Sequence, residues 1–356
     1  MGPRYRRFGN RAMTTWRILC DRDGREGRRS AVWHGFKGFS RHEGRHLRVA
    51  VLGAGAAGSA MAGLAASREH EVTLWSPRGG GTRHLGDRLK TRGLLAGSWP
   101  LRIAADLGRA LDQAEVVLVA LPGHVLPQLL HRMAATLVGE PAVLLAPPGA
   151  LAPLLLHGLA QSRGLSLPVG ALPVPPVAAR RDGDGAIDIT AIRPRIWAGG
   201  LPAAARRLLT DTLVDLFGLP VEPLADVLAA GLAEPTALIG AARMLAPAGI
   251  PHGVARLLLG LSAERDALAV ACGRAALPGM AEMVMEQGGL PESLPPLPEL
   301  GAGLAFLEAL GRATGRPVPM IAAALQLLEG TTGEVFSPHP VMKDLDAAFL
   351  AKVLGP

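Results

Sequence analysis

The sequence predicts an α/β N-terminal Rossmann domain followed by an all-α C-terminal domain. Three observations support this fold class: strand-like and helical segments alternate from residue 48 to about 200, a glycine-rich loop follows the first strand, and strand-like segments nearly vanish after residue 202. Such alternation is typical of a parallel sheet covered by helices. We therefore divide the chain into a poorly ordered basic extension at 1–47, a Rossmann dinucleotide-binding domain at 48–200 and a helical substrate and dimerisation domain at 201–356.

The composition favours a folded protein whose positive charge is confined to one end. Of the 356 residues, 49% are apolar and only 19% are charged, which supports a large core and argues against global disorder. The net charge is +7, but residues 1–47 carry twelve basic and four acidic groups, whereas 48–356 carry 25 basic and 26 acidic groups. Because the body of the protein is close to neutral, we expect no nucleic-acid partner.

The cysteines and the apolar segments indicate in which cellular compartment the protein is expected. Cys20 and Cys272 lie far apart and form neither a disulfide framework nor a metal-ligand spacing, so we expect a reducing, cytoplasmic compartment and no metal site. No run of 18 apolar residues is free of charges and of Gly or Pro breaks, and we therefore expect no membrane association.

The glycine-rich loop has the context of a dinucleotide site. A short apolar strand at 48–52 runs directly into a Gly-x-Gly-x-x-Gly motif, a small-residue helix follows, and 70–75 reads as a second strand. In this motif the first glycine permits a tight turn, the second lets the backbone approach a pyrophosphate, and the third lets helix and strand pack closely. The predicted cofactor-binding residues here are Gly53, Gly55, Ala56, Ala57 and Gly58.

The end of the second strand favours NADP over NAD. An NAD site usually has an acid there that binds the ribose 2′-hydroxyl, but no acid occurs between Glu71 and Asp87. Ser76, Arg78 and Arg83 are instead suited to a 2′-phosphate. The alternative, that these arginines are only solvated loop charges, stays open, as does the use of NAD.

Two later strands, at 114–121 and 141–146, each end in a loop rich in Pro and Gly. Ligands of such sheets lie beyond the carboxyl ends of the strands, so we expect Leu121 and Pro122 to line the nicotinamide. His124 is a further candidate, although a surface histidine at a helix start is the better explanation of it. The remaining predicted elements are strands at 167–174 and 186–192 and helices at 203–217, 225–247, 252–276, 300–314 and 318–330.

Several segments of the chain carry a family resemblance. The most specific are Pro176–Arg180, Gly253–Arg256, Ser262–Arg265 and the block from Gly303 to Gly333. With them, most of 48–337 resembles the opine (octopine/nopaline) dehydrogenase family. The resemblance implies a Rossmann domain joined to a helical domain, and NAD(P)H-dependent reduction of the imine between an amino acid and a 2-keto acid. The first domain also resembles glycerol-3-phosphate dehydrogenase.

One departure from the opine family affects the chemistry. The family begins its helical domain with Asn-Pro-x-x-His-Pro, whose histidine is the acid/base, but the matching stretch here begins with Glu234 and has Leu238 at the histidine position. The family's partner carboxylate falls on Glu299. We therefore predict Glu234 and Glu299 as the catalytic pair, with Glu234 as the proton donor. A helix N-terminal carboxylate is the alternative role for Glu234, because Pro235 follows it.

Two other functions stay open. A glycerol-3-phosphate or other hydroxy-acid dehydrogenase would use lysines that this chain lacks, since none occurs between Lys90 and Lys343. A non-catalytic dinucleotide-binding paralogue would explain the missing histidine. With each of these functions we expect a small-molecule partner, and for an enzyme we expect the substrate to be a carboxylate. Assembly of the protein into a homodimer stays open. Other candidate donors or carboxylate-binding groups are Arg180, Arg243, His252, Glu264, Arg265 and Lys343.

Overall fold

The computed structural model describes residues 45–338, apart from 84, 184, 247–249, 251, 275–276 and 292–293. Nearly all of the predicted extension at 1–47, as well as Lys343, therefore lies outside the described residues.

The larger of two sheets has the strand order β12-β11-β8-β7-β6-β1-β2-β5. Its central strands are short runs of buried Val, Leu and Ala, as expected where helices cover both faces. Strand β1 pairs in parallel with β2 and β6, and only β11 runs antiparallel to its neighbour β8. The strands are β1 (Arg48–Leu52), β2 (Glu71–Trp75), β5 (Arg102–Ile103), β6 (Val116–Val119), β7 (Ala142–Leu145), β8 (Val169–Ala171), β11 (Ile196–Leu201) and β12 (Val221–Pro223).

A second sheet of four strands, in the order β4-β3-β10-β9, packs on helix α1 (Ala56–Ala66). Helix α1 lies between the two sheets and is almost entirely buried, which its small side chains permit. A Cβ on Gly63, for example, would lie 3.0 Å from Thr91 Cγ2 of the second sheet. The sequence predicted only one of these strands, near 186–192. They are β3 (Arg88–Gly93), β4 (Gly97–Pro100), β9 (Val177–Arg181) and β10 (Ile187–Ile192).

The larger sheet extends past the predicted domain boundary at residue 200. Helix α5 (Arg206–Phe217) buries Leu209, Leu213 and Phe217 in the core cluster of this sheet, and β12 pairs with β11. The predicted helix at 203–217 is present, but it packs on the Rossmann sheet, where a Cβ on Gly200 of β11 would lie 2.4 Å from Leu209 Cδ1. The other helices on this sheet are α2 (Leu107–Leu111), α3 (Leu126–Thr136) and α4 (Ala152–Gln161).

The remainder of the described chain is helical and has its own core cluster. The prediction of one helix at 225–247 was wrong, because the chain forms two helices separated at Glu234. Glu234 has φ −65° and ψ 118°, the extended conformation that a following proline imposes. The helices are α6 (Val227–Ala233), α7 (Thr236–Leu245), α8 (Gly253–Ala271), α9 (Met280–Glu286), α10 (Leu297–Ala313) and α11 (Pro319–Thr332).

One apolar segment, Val227–Leu245, has the length and composition of a membrane span. It comprises α6 and α7, and 78% of its most apolar window is buried inside the protein. Burial of this kind is what a core helix of a folded domain shows.

Candidate functional site

The turn after β1 requires glycine at two positions. Gly53 has φ +124°, and its N–H donates a hydrogen bond to the Trp75 carbonyl oxygen at 2.9 Å. A Cβ on Gly53 would lie 2.2 Å from the Ala120 carbonyl oxygen, and one on Gly58 would lie 1.9 Å from the Gly53 carbonyl oxygen. These glycines therefore allow β1, β6 and the start of α1 to meet at one point.

Gly55 has a different role, because it lies against open space. It is the N-cap of α1, with no side-chain cap and no acid in the first turn, and a Cβ added to it would meet no atom within 4 Å. The N–H groups at the start of this helix, including those of Ala56 and Ala57, and the positive end of the helix dipole are suited to an anion. The geometry thus fits the pyrophosphate of a dinucleotide.

The loop after β2 folds over the glycine-rich loop. A Cβ on Gly81 would lie 2.8 Å from both the Cβ and the carbonyl oxygen of Ala54. The Ser76 carbonyl oxygen accepts a hydrogen bond from the Gly79 N–H, and this turn leaves Arg78 exposed. Ser76 and Arg78 therefore lie at the end of β2, where the adenosine ribose of a dinucleotide would lie.

The loops after β6 and β7 touch each other at glycines. A Cβ on Gly123 would lie 3.7 Å from the Gly149 Cα. The first loop, with Leu121 and Pro122 partly exposed, continues into a 3₁₀ turn that contacts helix α10. From the other side, α6 approaches the second loop, since a Cβ on Gly231 would lie 3.1 Å from the Ala150 carbonyl oxygen. The helical part thus closes on the carboxyl ends of the strands.

Glu234 and Glu299 lie at this closure. Glu234 follows the last residue of α6, and its Oε1 accepts a hydrogen bond from the Thr236 N–H at 3.1 Å. Glu299 is in the first turn of α10, one turn before Gly303. A Cβ on Gly303 would lie 2.6 Å from the Ala237 Cβ, so α10 and α7 cross closely there and bring the two carboxyl groups near each other.

The electrostatics of the two carboxyl groups follow from this placement. Burial raises the pKa of Glu234, and the nearby Glu299 raises it further. The hydrogen bonds from Thr236 lower it, and the net result is a pKa of about 7. Burial also raises the pKa of Glu299. A carboxylic acid with such a pKa holds its proton near neutral pH and is able to donate it.

The contacts of Glu234 are compatible with both roles considered for it. The hydrogen bond from the Thr236 N–H is that of a carboxylate at a helix start, and the raised pKa follows from burial of the carboxyl group and from the nearby Glu299. Sequence analysis did not single out Thr236; its position directly after Pro235, at the start of a helix, was the available signal. The catalytic role of Glu234 and Glu299 stays a prediction.

The other candidate residues differ in their contacts and burial. Glu264 accepts hydrogen bonds from the Met320 and Ile321 N–H groups and so caps α11. Arg180 pairs with Asp188 at 2.9 Å. Leu238, at the position of the family's histidine, is fully buried in the helical core. His124 is exposed. His252 directly precedes α8, and its Nδ1 is buried and has no hydrogen bond to the described residues. Arg265 is only 1% exposed, and its Nη2 donates a hydrogen bond to the Pro278 carbonyl oxygen. No group of three or more His, Cys, Asp or Glu within the described part of the chain is suited to a metal ion.

The first domain matches a known family. Residues 48–155 match the sequence model described as "NAD-dependent glycerol-3-phosphate dehydrogenase N-terminus". The glycerol-3-phosphate dehydrogenase [NAD(P)+] of Ectopseudomonas mendocina (strain ymp) is 40% identical over 101 residues, 27% of this chain and 29% of that protein. The one from Lacticaseibacillus casei (strain BL23) is 32% identical over 94 residues, 25% of this chain and 27% of that protein. The chain thus matches less than a third of the length of these curated relatives.

Solved structures resemble the chain over both parts of the fold. An octopine dehydrogenase in complex with NADH and agmatine covers 81% of this chain and 90% of its own, with a TM-score of 0.63 and 15% identity. A yersinopine dehydrogenase with NADP+ bound covers 87% and 98%, with a TM-score of 0.60 and 16% identity. A PanE/ApbA family ketopantoate reductase from Ralstonia eutropha JMP134 covers 81% and 100%, with a TM-score of 0.56 and 20% identity.

These comparisons confirm the predicted fold class, a Rossmann domain followed by a helical domain. They also confirm the resemblance to both opine and glycerol-3-phosphate dehydrogenases.

Proposed function

We propose that this protein is an NAD(P)H-dependent oxidoreductase that reduces the imine formed between an amino acid and a 2-keto acid, and that it prefers NADP. The observation that carries the proposal is that Glu234 and Glu299 lie near each other where α6 and α10 approach the loops after β6 and β7, within a fold that begins with a glycine-rich loop. The relatives of its first domain are named for the use of NAD(P)+, which supports the cofactor.

The glycine-rich loop would hold the cofactor, which supplies a hydride to the imine carbon. The start of α1 would bind the pyrophosphate. Ser76 and Arg78 would bind the adenosine ribose with its 2′-phosphate, and Leu121 and Pro122 would contact the face of the nicotinamide. Leu121 and Pro122 are only partly buried and carry no charge, so they are suited to an aromatic ring.

Glu234 would supply the proton that the reaction needs. When the imine carbon accepts a hydride, the nitrogen gains a lone pair and takes up a proton to become an amine. Glu234 donates this proton and becomes a carboxylate, which Glu299 opposes by its own negative charge when ionised. The negative charge of Glu299 thus raises the pKa of Glu234, so Glu234 holds its proton more tightly than it would alone. The pair replaces the histidine whose position here is Leu238.

The alternative of a glycerol-3-phosphate or hydroxy-acid dehydrogenase is favoured by the match of residues 48–155. The helical part opposes it, because no lysine occurs between Lys90 and Lys343 and arginine is too basic to donate a proton. A non-catalytic binding protein is the remaining alternative. We propose a cytoplasmic location and a carboxylate substrate for the enzyme, and leave its assembly as a homodimer open.

The test is NADPH oxidation with purified protein, measured for a panel of 2-keto acids alone, the same acids with amino acids, and dihydroxyacetone phosphate. Consumption that requires both an amine and a keto acid, with a secondary amine product identified by mass spectrometry, would support the proposal. Consumption with dihydroxyacetone phosphate or with the keto acid alone would favour the hydroxy-acid reaction. NADPH binding without consumption on any pair would favour the non-catalytic protein.

A further inference from the structure

The second sheet carries an arginine that reaches the glycine-rich loop. Arg181, the last residue of β9, donates a hydrogen bond from Nη2 to the Ala54 carbonyl oxygen at 2.6 Å, and the same atom lies 3.4 Å from Ser59 Oγ on α1. Ala54 directly precedes Gly55, the N-cap of α1. The contact joins two residues that are 127 positions apart in the sequence, so no local sequence pattern predicts it.

The strand register explains why Arg181 and not Arg180 has this position. Successive side chains of a strand point to opposite faces of a sheet. Ala179, two residues earlier, packs against the core that contains α1, so Arg181 faces the same side. Arg180 faces the other side and pairs with Asp188, its register partner on β10.

The charge of Arg181 is not neutralised by a described acid. Its contacts are to three uncharged oxygen atoms, those of Ala54, Ser59 and Gly185. A guanidinium has five N–H donors, these contacts engage only Nη1 and Nη2, and the residue is exposed. A cation with donors to spare therefore lies beside the uncapped N-terminus of α1 and the open space in front of Gly55.

We propose that Arg181 is a cofactor-binding residue that completes the pyrophosphate site from the second sheet. Backbone N–H groups of α1 would contact the phosphates from one side, and the guanidinium would contact them from the other, as a charge-assisted hydrogen bond. This inference rests on the proposed binding of a dinucleotide, and it assigns a function to the four-stranded sheet, which holds Arg181 in place.

The test compares Arg181→Gln, Arg181→Lys and a control, Arg88→Gln. Arg88 also lies in the second sheet, where its Nε donates to Ser98 Oγ at 3.0 Å, so the control removes one charge without touching the glycine-rich loop. Dissociation constants for NADPH and NADH would be measured by nicotinamide fluorescence at several salt concentrations, with the melting temperature of each variant.

We expect Arg181→Gln to weaken both cofactors equally, by roughly tenfold, as for the loss of one charge-assisted hydrogen bond. Affinity should depend less on salt than in the parent, because screening then acts on one charge fewer, and Arg181→Lys should restore part of both. Unchanged affinity would overturn the proposal. So would a loss confined to NADPH, which would assign Arg181 to the 2′-phosphate, or a loss with an unaltered salt dependence, which would indicate a structural tie. A parent that binds neither dinucleotide would overturn the proposed function itself.

Discussion

Two helix starts, those of α1 and α7, differ in what they leave for a ligand. Helix α1 begins at Gly55 with no side-chain cap and no acid in its first turn, and Arg181 lies beside it. Helix α7 begins after Glu234, whose own carboxyl group accepts from the Thr236 N–H. The first start is therefore suited to an anion that comes from outside, whereas the second is already occupied by an acid of the chain.

This difference shows how one physical feature serves two purposes. The positive end of a helix stabilises a negative charge wherever that charge comes from. At α1 it favours binding of phosphate, and at α7 it opposes the burial and the neighbouring Glu299 that raise the pKa of Glu234. The balance at α7 leaves a carboxylic acid that titrates near neutral pH, which is what a proton donor requires.

Removal of the acid at the start of α7 should have the largest effect on activity. Glu234→Gln keeps an oxygen that accepts from the Thr236 N–H but removes the proton donor. We expect turnover in the reductive direction to fall by about 100-fold or more, the usual contribution of general acid catalysis, while the dissociation constant for NADPH stays the same. The measurement is kcat from NADPH oxidation beside cofactor fluorescence titration.

The pH dependence gives the sign of this effect. Because the proton donor must be protonated and its pKa is raised to about 7, the parent's rate should fall as the pH rises through about 7, and the residual rate of Glu234→Gln should lack that step. Glu308→Gln is the matched control, since Glu308 also lies on α10 but pairs with Arg312 at the surface at 2.8 Å. A variant at Glu234 with full activity on a verified reaction would eliminate the carboxylate mechanism.

Filling the space at α1 should have the next largest effect. Gly55→Leu introduces a side chain where no atom lies within 4 Å, so the fold should tolerate it, but the phosphates would lose their approach to the backbone. We expect both NADPH and NADH to bind at least about tenfold more weakly with little change in melting temperature. Gly158→Leu, on helix α4 and likewise against open space, is the control. If the Gly55 variant bound both cofactors as tightly as the Gly158 control and the parent do, Gly55 would not belong to the cofactor site.

The smallest expected effect concerns the choice between the two cofactors. Arg78→Ala should weaken NADPH by about 1 kcal/mol, roughly fivefold, because an exposed charge pair is screened by solvent. NADH should be unaffected, since it lacks the 2′-phosphate. The measurement is the dissociation constant of each cofactor, determined by titration of the parent and of the variant. A parent that prefers NADH would contradict the assignment of the loop after β2 to NADP.

Two of the strands that sequence analysis missed have few buried side chains. Strand β3 reads Arg-Leu-Lys-Thr-Arg-Gly and has four exposed residues of six, so its few buried side chains do not form a conspicuous apolar run. Strand β12 has three residues, none of them buried, and ends in proline. Such strands are defined by their pairing partners, and β10 and β11, with which β3 and β12 pair, are separate segments of the chain. The break at Glu234 had a local signal in Pro235, but the surrounding apolar residues favoured a continuous helix.

The glycine turn and the strands before and after it follow from local chemistry, because Gly53 needs a positive φ and a buried parallel strand needs an unbroken apolar run. Local patterns also predicted a helical second part, and the resemblance to opine dehydrogenases singled out Glu234 and Glu299. The three-dimensional fold was needed to show that α10 crosses α7 at Gly303 and brings these acids near each other, and that Arg181 lies beside the glycine-rich loop. Burial, pKa and the approach of distant charges depend on helix crossings and sheet register, and these arise from packing over the whole chain.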